Sequence, residues 1–191
     1  MHRISHYNST QRRMGALMVG AVLLLQAVPV PFSYAQGQTP EREYQIKASF
    51  LYRFLQFVEW PDDAFAAQPQ HLVVGILGDD PFGAVLDHTL AGKTIGGKTL
   101  IVERYAALED VKNCHMLFVS ASLEDRLPDV FQSLKTHPIL TVGESARFTQ
   151  QGGTIKLFEF KNKVRFEINL EGAQRARLKV SSKLLKLARV V

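Results

Sequence analysis

Cysteine is almost absent: Cys114 is the one example in 191 residues. A lone thiol excludes an internal disulfide, and its place at the head of an apolar run reads as a small buried hydrophobe rather than a reactive group. No apolar run reaches membrane-spanning length either. The stretch from Gly15 to Val28 has 14 residues, short of the roughly 20 that cross a bilayer. Metal-ligand spacing is missing too, since His71, His88, His115 and His137 fall one to each segment of residues 36–191. There is no nucleophile elbow and no Ser-x-x-Lys. The acidic pairs Asp62-Asp63 and Asp79-Asp80 sit in turns beside prolines, which accounts for them. A metal centre, a cofactor and catalysis are therefore not expected.

The first 35 residues read as a secretory signal. Arg3, Arg12 and Arg13 precede the apolar run, and Ser33-Tyr34-Ala35 offers small residues at the cleavage positions, so cleavage is predicted before Gln36. The rival reading, an uncleaved membrane anchor, is disfavoured by the shortness of the run. Export also removes most of the basic excess. Three of 23 basic and none of 18 acidic residues lie in the signal, leaving 20 minus 18, or +2. That balance gives no support to a nucleic-acid partner.

The exported part is predicted to be one domain over 43–191 behind a loose terminus, 36–42. It opens on a long apolar helix from Glu43 to Trp60, in which Ile46, Phe50, Phe54 and Phe57 recur at helical spacing. Lys47, Arg53 and Glu59 form its narrow polar edge, and Pro61 ends it. Residues 71–77, 99–104, 114–120 and 138–142 read as buried strands. Helices are predicted at 82–90, 123–135 and 144–151, with Asp80 and Ser122 as candidate caps. Strands interleaved with helices imply right-handed crossovers and a mainly parallel sheet, so the fold class is α/β. Gly92 to Thr99 matches the phosphate-loop pattern, but a helix precedes it and a strand follows it, the reverse of what such a loop needs. An ordinary turn at Gly96-Gly97 is the better reading.

The chain then changes style. Residues 154–160 and 163–170 read as an antiparallel hairpin around Lys161-Asn162, and a two-residue turn pairs Ile155 with Ile168 and Leu157 with Phe166 on one face. The other face pairs Lys156 with Glu167 and Phe158 with Arg165. Phe158 and Phe160 among Arg165, Glu167 and lysines resemble the centre of a protein interface with a charged rim. A covering helix is the competing explanation. Residues 171–189 read as helix-prone with a break offered near Val180-Ser181-Ser182, and Lys179, Lys183 and Lys186 fall on one face opposite Leu178, Leu185 and Ala188, which reads as a solvated face. The loops after the parallel strands, with Gly78, Asp79, Asp80, Ser120 and Ser122, are where such sheets hold small ligands. They define the alternative, a small-ligand-binding module.

Five stretches together resemble the YfiR family of periplasmic proteins. They are Tyr44-Gln-Ile-Lys-Ala-Ser-Phe-Leu-Tyr-Arg-Phe with Phe57-Val-Glu-Trp-Pro61; Leu77-Gly-Asp-Asp-Pro-Phe-Gly83; Cys114-His-Met-Leu-Phe-Val-Ser120; Gly152-Gly153 with Val164-Arg-Phe-Glu-Ile-Asn-Leu170; and Leu178-Lys-Val-Ser-Ser-Lys-Leu-Leu-Lys-Leu-Ala188. The resemblance implies a periplasmic repressor. Its partner would be the periplasmic sensor part of an inner-membrane diguanylate cyclase, and its effect lower cyclic di-GMP and less biofilm. It also implies an OmpA-like outer-membrane lipoprotein that draws the repressor away, and redox control through disulfides. The single Cys114 departs from that last feature. A homodimer formed through apolar surfaces is left open.

Overall fold

The computed structural model describes residues 39–191; the predicted signal and its cleavage site lie outside them. In chain order the elements are α1 (Pro40–Phe57), β1 (Val58–Glu59), β2 (His71–Leu77), α2 (Ala84–Leu90), β3 (Thr94–Ile95), β4 (Lys98–Tyr105), β5 (Met116–Val119), α3 (Leu127–Leu134), β6 (Leu140–Gly143), β7 (Ile155–Phe160), β8 (Lys163–Ile168), α4 (Leu170–Arg175), β9 (Lys179–Val180), α5 (Ser182–Leu185) and β10 (Arg189–Val190).

Helix α1 starts at Pro40, so Pro40, Glu41 and Arg42 belong to its first turn rather than to a loose terminus. Thr39 explains the start: its hydroxyl accepts from the Arg42 N–H at 3.4 Å, and a proline in the first turn gives up no helical donor. The fully buried line is Lys47, Ala48, Leu51, Phe54 and Leu55, with Ile46, Phe50 and Phe57 flanking it half-buried. Burying each large apolar side chain there contributes about 1.5–3 kcal/mol. Lys47 corrects the sequence reading, which put it on the polar edge. It is 4% exposed, and its ammonium pairs with Glu43 at 2.6 Å and with Glu144. Burial alone would lower its pKa, but hydrogen bonds to Glu144 and Glu43 raise it.

The eight-stranded sheet runs in the order β10-β8-β7-β6-β5-β2-β4-β3. Pairs β2/β4, β2/β5, β5/β6, β6/β7 and β8/β10 are parallel, while β3/β4 and β7/β8 are antiparallel. A separate two-stranded ribbon joins β1 to β9. It takes Val58 and Glu59 out of the helix, so α1 ends before Trp60. Gly96 and Gly97, both at positive φ, form the tight β3/β4 turn, so the phosphate-loop match is a hairpin.

One face of the sheet carries α1, α2 and the 173–184 segment over a core with Leu72, Val74, Met116, Phe118 and Phe166. The other carries α3 over Leu77, Leu117, Val119 and Phe148. Three helix expectations change. The 123–135 segment splits into a 3-10 stretch, Ala121–Arg126, and α3, because Pro128 has no N–H to donate and must stand in a first turn. Residues 144–151 form turns, not a helix: they wrap Phe148 into a slot between Gly143 and Gly153, where a Cβ on either glycine would stand 2.3 Å from the ring. Residues 171–189 break at Val180-Ser181-Ser182, as the sequence offered, and again earlier, at Arg177. Asn169 caps α4, Arg177 takes φ +57°, Val180 pairs with Val58, and Ser181 caps α5. Lys179, Lys183 and Lys186 thus share no helix face.

Candidate protein-docking face

The β7–β8 hairpin has the expected register, Ile155 with Ile168, Leu157 with Phe166, Lys156 with Glu167 and Phe158 with Arg165. Lys161 and Asn162 both adopt positive φ, as a two-residue turn of this hand requires. Its apolar face lies on α1, where the Phe166 ring is 5.1 Å from Phe54 and 5.6 Å from Phe50. The opposite face is where sequence placed an interface.

That face has two zones. Nearest the sheet, Glu167 is 2% exposed, which corrects its place among surface contacts. Its carboxylate accepts from Thr149 Oγ1 at 2.6 Å, pairs with Lys156 at 2.9 Å and also holds Arg189. Burial alone would raise its pKa, but the three hydrogen bonds outweigh it and hold the group below the ordinary carboxylate value. Glu167 is therefore a support that ties β8 to β10 and to the 144–151 loop. Further out the cover ends. Phe158 is half-buried, its ring between the Arg189 guanidinium at 5.1 Å and Lys156 Nζ at 5.9 Å. Arg165 is exposed, and Phe160 is 56% exposed with Lys161 Nζ 5.4 Å from its ring. Each such cation–ring contact contributes about 0.5–1 kcal/mol at an exposed site, enough to fix a rotamer without hiding the aromatic. Phe158, Phe160 and Arg165 thus form a pre-set aromatic and cationic surface on a rigid hairpin.

The alternative residues also come together. The chain passes from β2 to β4 on one side and returns to β5 on the other, so the ends of β2 and β5 are a topological switch point. Gly78, Asp79, Asp80, Ser120 and Ser122 stand there, with Asp79, Ser120 and Ser122 bonded to one another and Asp80 held by other neighbours. The Asp79 N–H donates to Ser122 Oγ at 3.1 Å, and the two serine hydroxyls are 3.2 Å apart. Ser120, rather than the expected Ser122, caps the 3-10 stretch. Asp80 accepts from the Phe82 N–H at 2.8 Å and pairs with Arg104 at 2.8 Å, while Arg104 also grips Asp87. A Cβ on Gly78 would meet Ser122 Oγ at 2.8 Å, so this crevice is filled by the chain itself. Two clefts open elsewhere. One of about 480 Å³ lies between α3, the 150–154 loop and α4, and one of about 320 Å³ lies among Asp63, Cys114, His137 and Arg177. Sequence reasoning missed both, since their walls come from segments distant in the chain.

Cys114 lies in the core, its thiol pushed up to about 12 by burial and donating to the Met116 carbonyl at 2.9 Å. Among the described residues no group of three or more His, Cys, Asp or Glu is arranged to hold a metal, and no helix is long and apolar enough to cross a membrane.

A mostly parallel sheet covered on both faces, with an antiparallel hairpin whose outer half is uncovered on one, defines an α/β domain. The chain belongs to the YfiR/HmsC-like family, which it matches over residues 44–189. No curated protein matches the sequence. Among solved structures, a conserved domain protein from Vibrio cholerae O1 biovar El Tor is similar at 8% identity and a TM-score of 0.52, over 77% of this chain and 59% of that one. This likeness shows the fold alone. The ABC domain in complex with L-Trp from Streptococcus pneumonia is similar at 12% identity and a TM-score of 0.47, over 66% of this chain and 57% of that one.

Proposed function

We propose that this protein is a periplasmic repressor that binds the periplasmic sensor part of a membrane diguanylate cyclase through Phe158, Phe160 and Arg165. Membership of the YfiR/HmsC-like family supports a regulator of diguanylate cyclase signalling rather than an enzyme. The observation that carries the site is the outer half of the hairpin, where Phe160 is open to solvent, Phe158 is half-buried and both rings lie beside cations. Aromatic and arginine side chains on a rigid support are what protein interfaces use as anchors. Repression lowers cyclic di-GMP and biofilm formation, and an OmpA-like outer-membrane lipoprotein competes for the repressor. A small ligand at Gly78, Asp79, Asp80, Ser120 and Ser122 would first have to break the Asp79–Ser122 and Ser120–Ser122 hydrogen bonds and the Asp80–Arg104 pair, which favours the protein partner.

The test is cellular cyclic di-GMP in a strain lacking the gene, rescued with the intact sequence or with Phe158→Ala/Arg165→Ala. Deletion should raise the nucleotide, the intact gene should restore it, and the double variant should fail to restore it while melting like the parent. Full rescue by the variant would dismiss the hairpin face. No rise on deletion would dismiss cyclase repression.

A further inference from the structure

The exposed large hydrophobics among the described residues are Phe160, Leu187, Val190 and Val191, and three of the four lie within five residues of one another. Leu187 is the most open, at 68%. The same stretch is charged with one sign. Residues 172–191 hold six Lys and Arg and no Asp or Glu, whereas residues 36–171 hold 14 basic and 18 acidic residues, a local +6 against −4. Arg175, Arg177 and Arg189 are paired with Glu171, Asp63 and Glu167. Lys179, Lys183 and Lys186 are exposed and enter no ion pair among the described residues.

This edge differs from the hairpin face. Phe158 and Arg165 belong to a rigid sheet, as a shape-matched protein partner requires. Here the cations are lysines, compact charges on flexible stems. The apolar groups are separate aliphatic side chains, Leu187 between α5 and β10, Val190 in the edge strand β10 and Val191 just after it, and neither described cleft includes them. Such an arrangement has nothing to match in shape. It suits a surface that is fluid, negative and apolar beneath, which takes up scattered aliphatic side chains while its headgroups neutralise the lysines.

We propose that the Lys179–Val191 edge docks the domain on an anionic lipid surface, with Leu187, Val190 and Val191 entering the headgroup layer and Lys179, Lys183 and Lys186 meeting phosphates. This goes beyond the hairpin reading and does not depend on it.

Co-sedimentation of the purified protein with vesicles tests it, using phosphatidylcholine alone and phosphatidylcholine with about a third phosphatidylglycerol. Binding should appear only with the anionic lipid and disappear near 0.5 M salt, where the screening length is about 4 Å. Each lysine near such a surface is worth about fivefold in partitioning, so Lys183→Gln/Lys186→Gln should weaken binding about thirtyfold. Both side chains are exposed and unpaired, so the melting temperature should hold. Leu187→Ser should weaken binding at unchanged charge, whereas Phe158→Ala should leave it intact. No sedimentation with anionic vesicles, equal sedimentation with neutral ones, or an unaffected double lysine variant would each overturn the proposal. An acidic protein or a second copy as the true occupant would give the first of these results.

Discussion

Glu167 offers the sharpest test of how the proposed docking face is held. Its carboxylate is buried, with the Lys156 side chain 12% exposed beside it and Arg189 reaching it from β10 with a side chain 62% exposed. Replacing Glu167 with Gln keeps the shape and one acceptor for Thr149 Oγ1, but strands the Lys156 charge. Removing one member of a buried pair costs about 3–5 kcal/mol. We take the lower end, about 3, because Arg189 can return to water while Lys156 cannot move far. At about 2–4 °C per kcal/mol for a domain of this size, melting should fall by about 6–12 °C. Arg189→Gln should cost no more than about 1 kcal/mol, since Lys156 still compensates the carboxylate. The two variants are compared by thermal unfolding at neutral pH and in acid. Glu167 lies below its ordinary value of 4.5 in the folded protein, so its contribution is complete above that pH and is lost as pH falls through the folded value. The gap between parent and Glu167→Gln should therefore close as the solution is acidified below 4.5. A Glu167→Gln protein melting within about 2 °C of the parent would refute the reasoning, as would a larger loss from Arg189→Gln.

Gly153→Ala should destabilise by about 1–3 kcal/mol by pressing on the fully buried Phe148, and adding Phe148→Leu should recover part of the loss, a coupling that urea unfolding of the single and double variants measures. His115 is held neutral chiefly by burial, with the Lys98 ammonium also nearby, and its Nδ1 accepts from the Val73 N–H at 3.0 Å. Because its folded pKa lies below the ordinary 6.5, its contribution is complete above that pH and falls as the solution is acidified. His115→Gln should flatten the stability profile between about pH 7 and 5, and a parent profile already flat there would count against this account. Cys114, its thiol pushed up to about 12, should resist a disulfide reagent in the native protein and react at the rate of unfolding, so rapid native labelling would show the burial to be wrong.

The sheet and hairpin were legible because period and turn chemistry are local. The alternation from Thr154 to Leu170 around Lys161-Asn162 fixed four cross-strand pairs in advance, and Gly96-Gly97 announced a turn through its order in the chain. Local causes explain the split at Pro128 and the early start of α1, but the larger errors involve partners distant in sequence. Lys47 looks like a polar edge until Glu144, 97 residues on, meets it in the core. Glu167 looks exposed until Arg189 and Thr149 enclose it. The segment after Leu170 has helical composition throughout, yet Val180 is taken by Val58. The break at Val180-Ser181-Ser182 was legible locally, since Ser181 is a good cap and a cap within a helical stretch argues for a break, whereas the pairing of Lys179-Val180 with β1 was not.

The bare face follows from the fate of Phe148. Residues 144–151 form turns rather than a helix and cover only the inner end of the hairpin. Gly143 and Gly153 leave a slot one ring wide, and Phe148 fills it completely, drawing the loop in against β6. What remains of the loop reaches only as far as Lys156, through the Ala146 carbonyl, and Glu167, through Thr149. Two glycines without side chains thus decide how far the cover extends, and Phe160 beyond it stays open. This ties the Gly152-Gly153 pair to the proposed docking face by packing: a change that expelled Phe148 from its slot would alter the edge of that face without touching Phe158, Phe160 or Arg165. It also gives Gly153→Ala a second expected readout, weaker partner binding that exceeds its loss of stability. Binding that fell only in proportion to the unfolded fraction would separate the slot from the face.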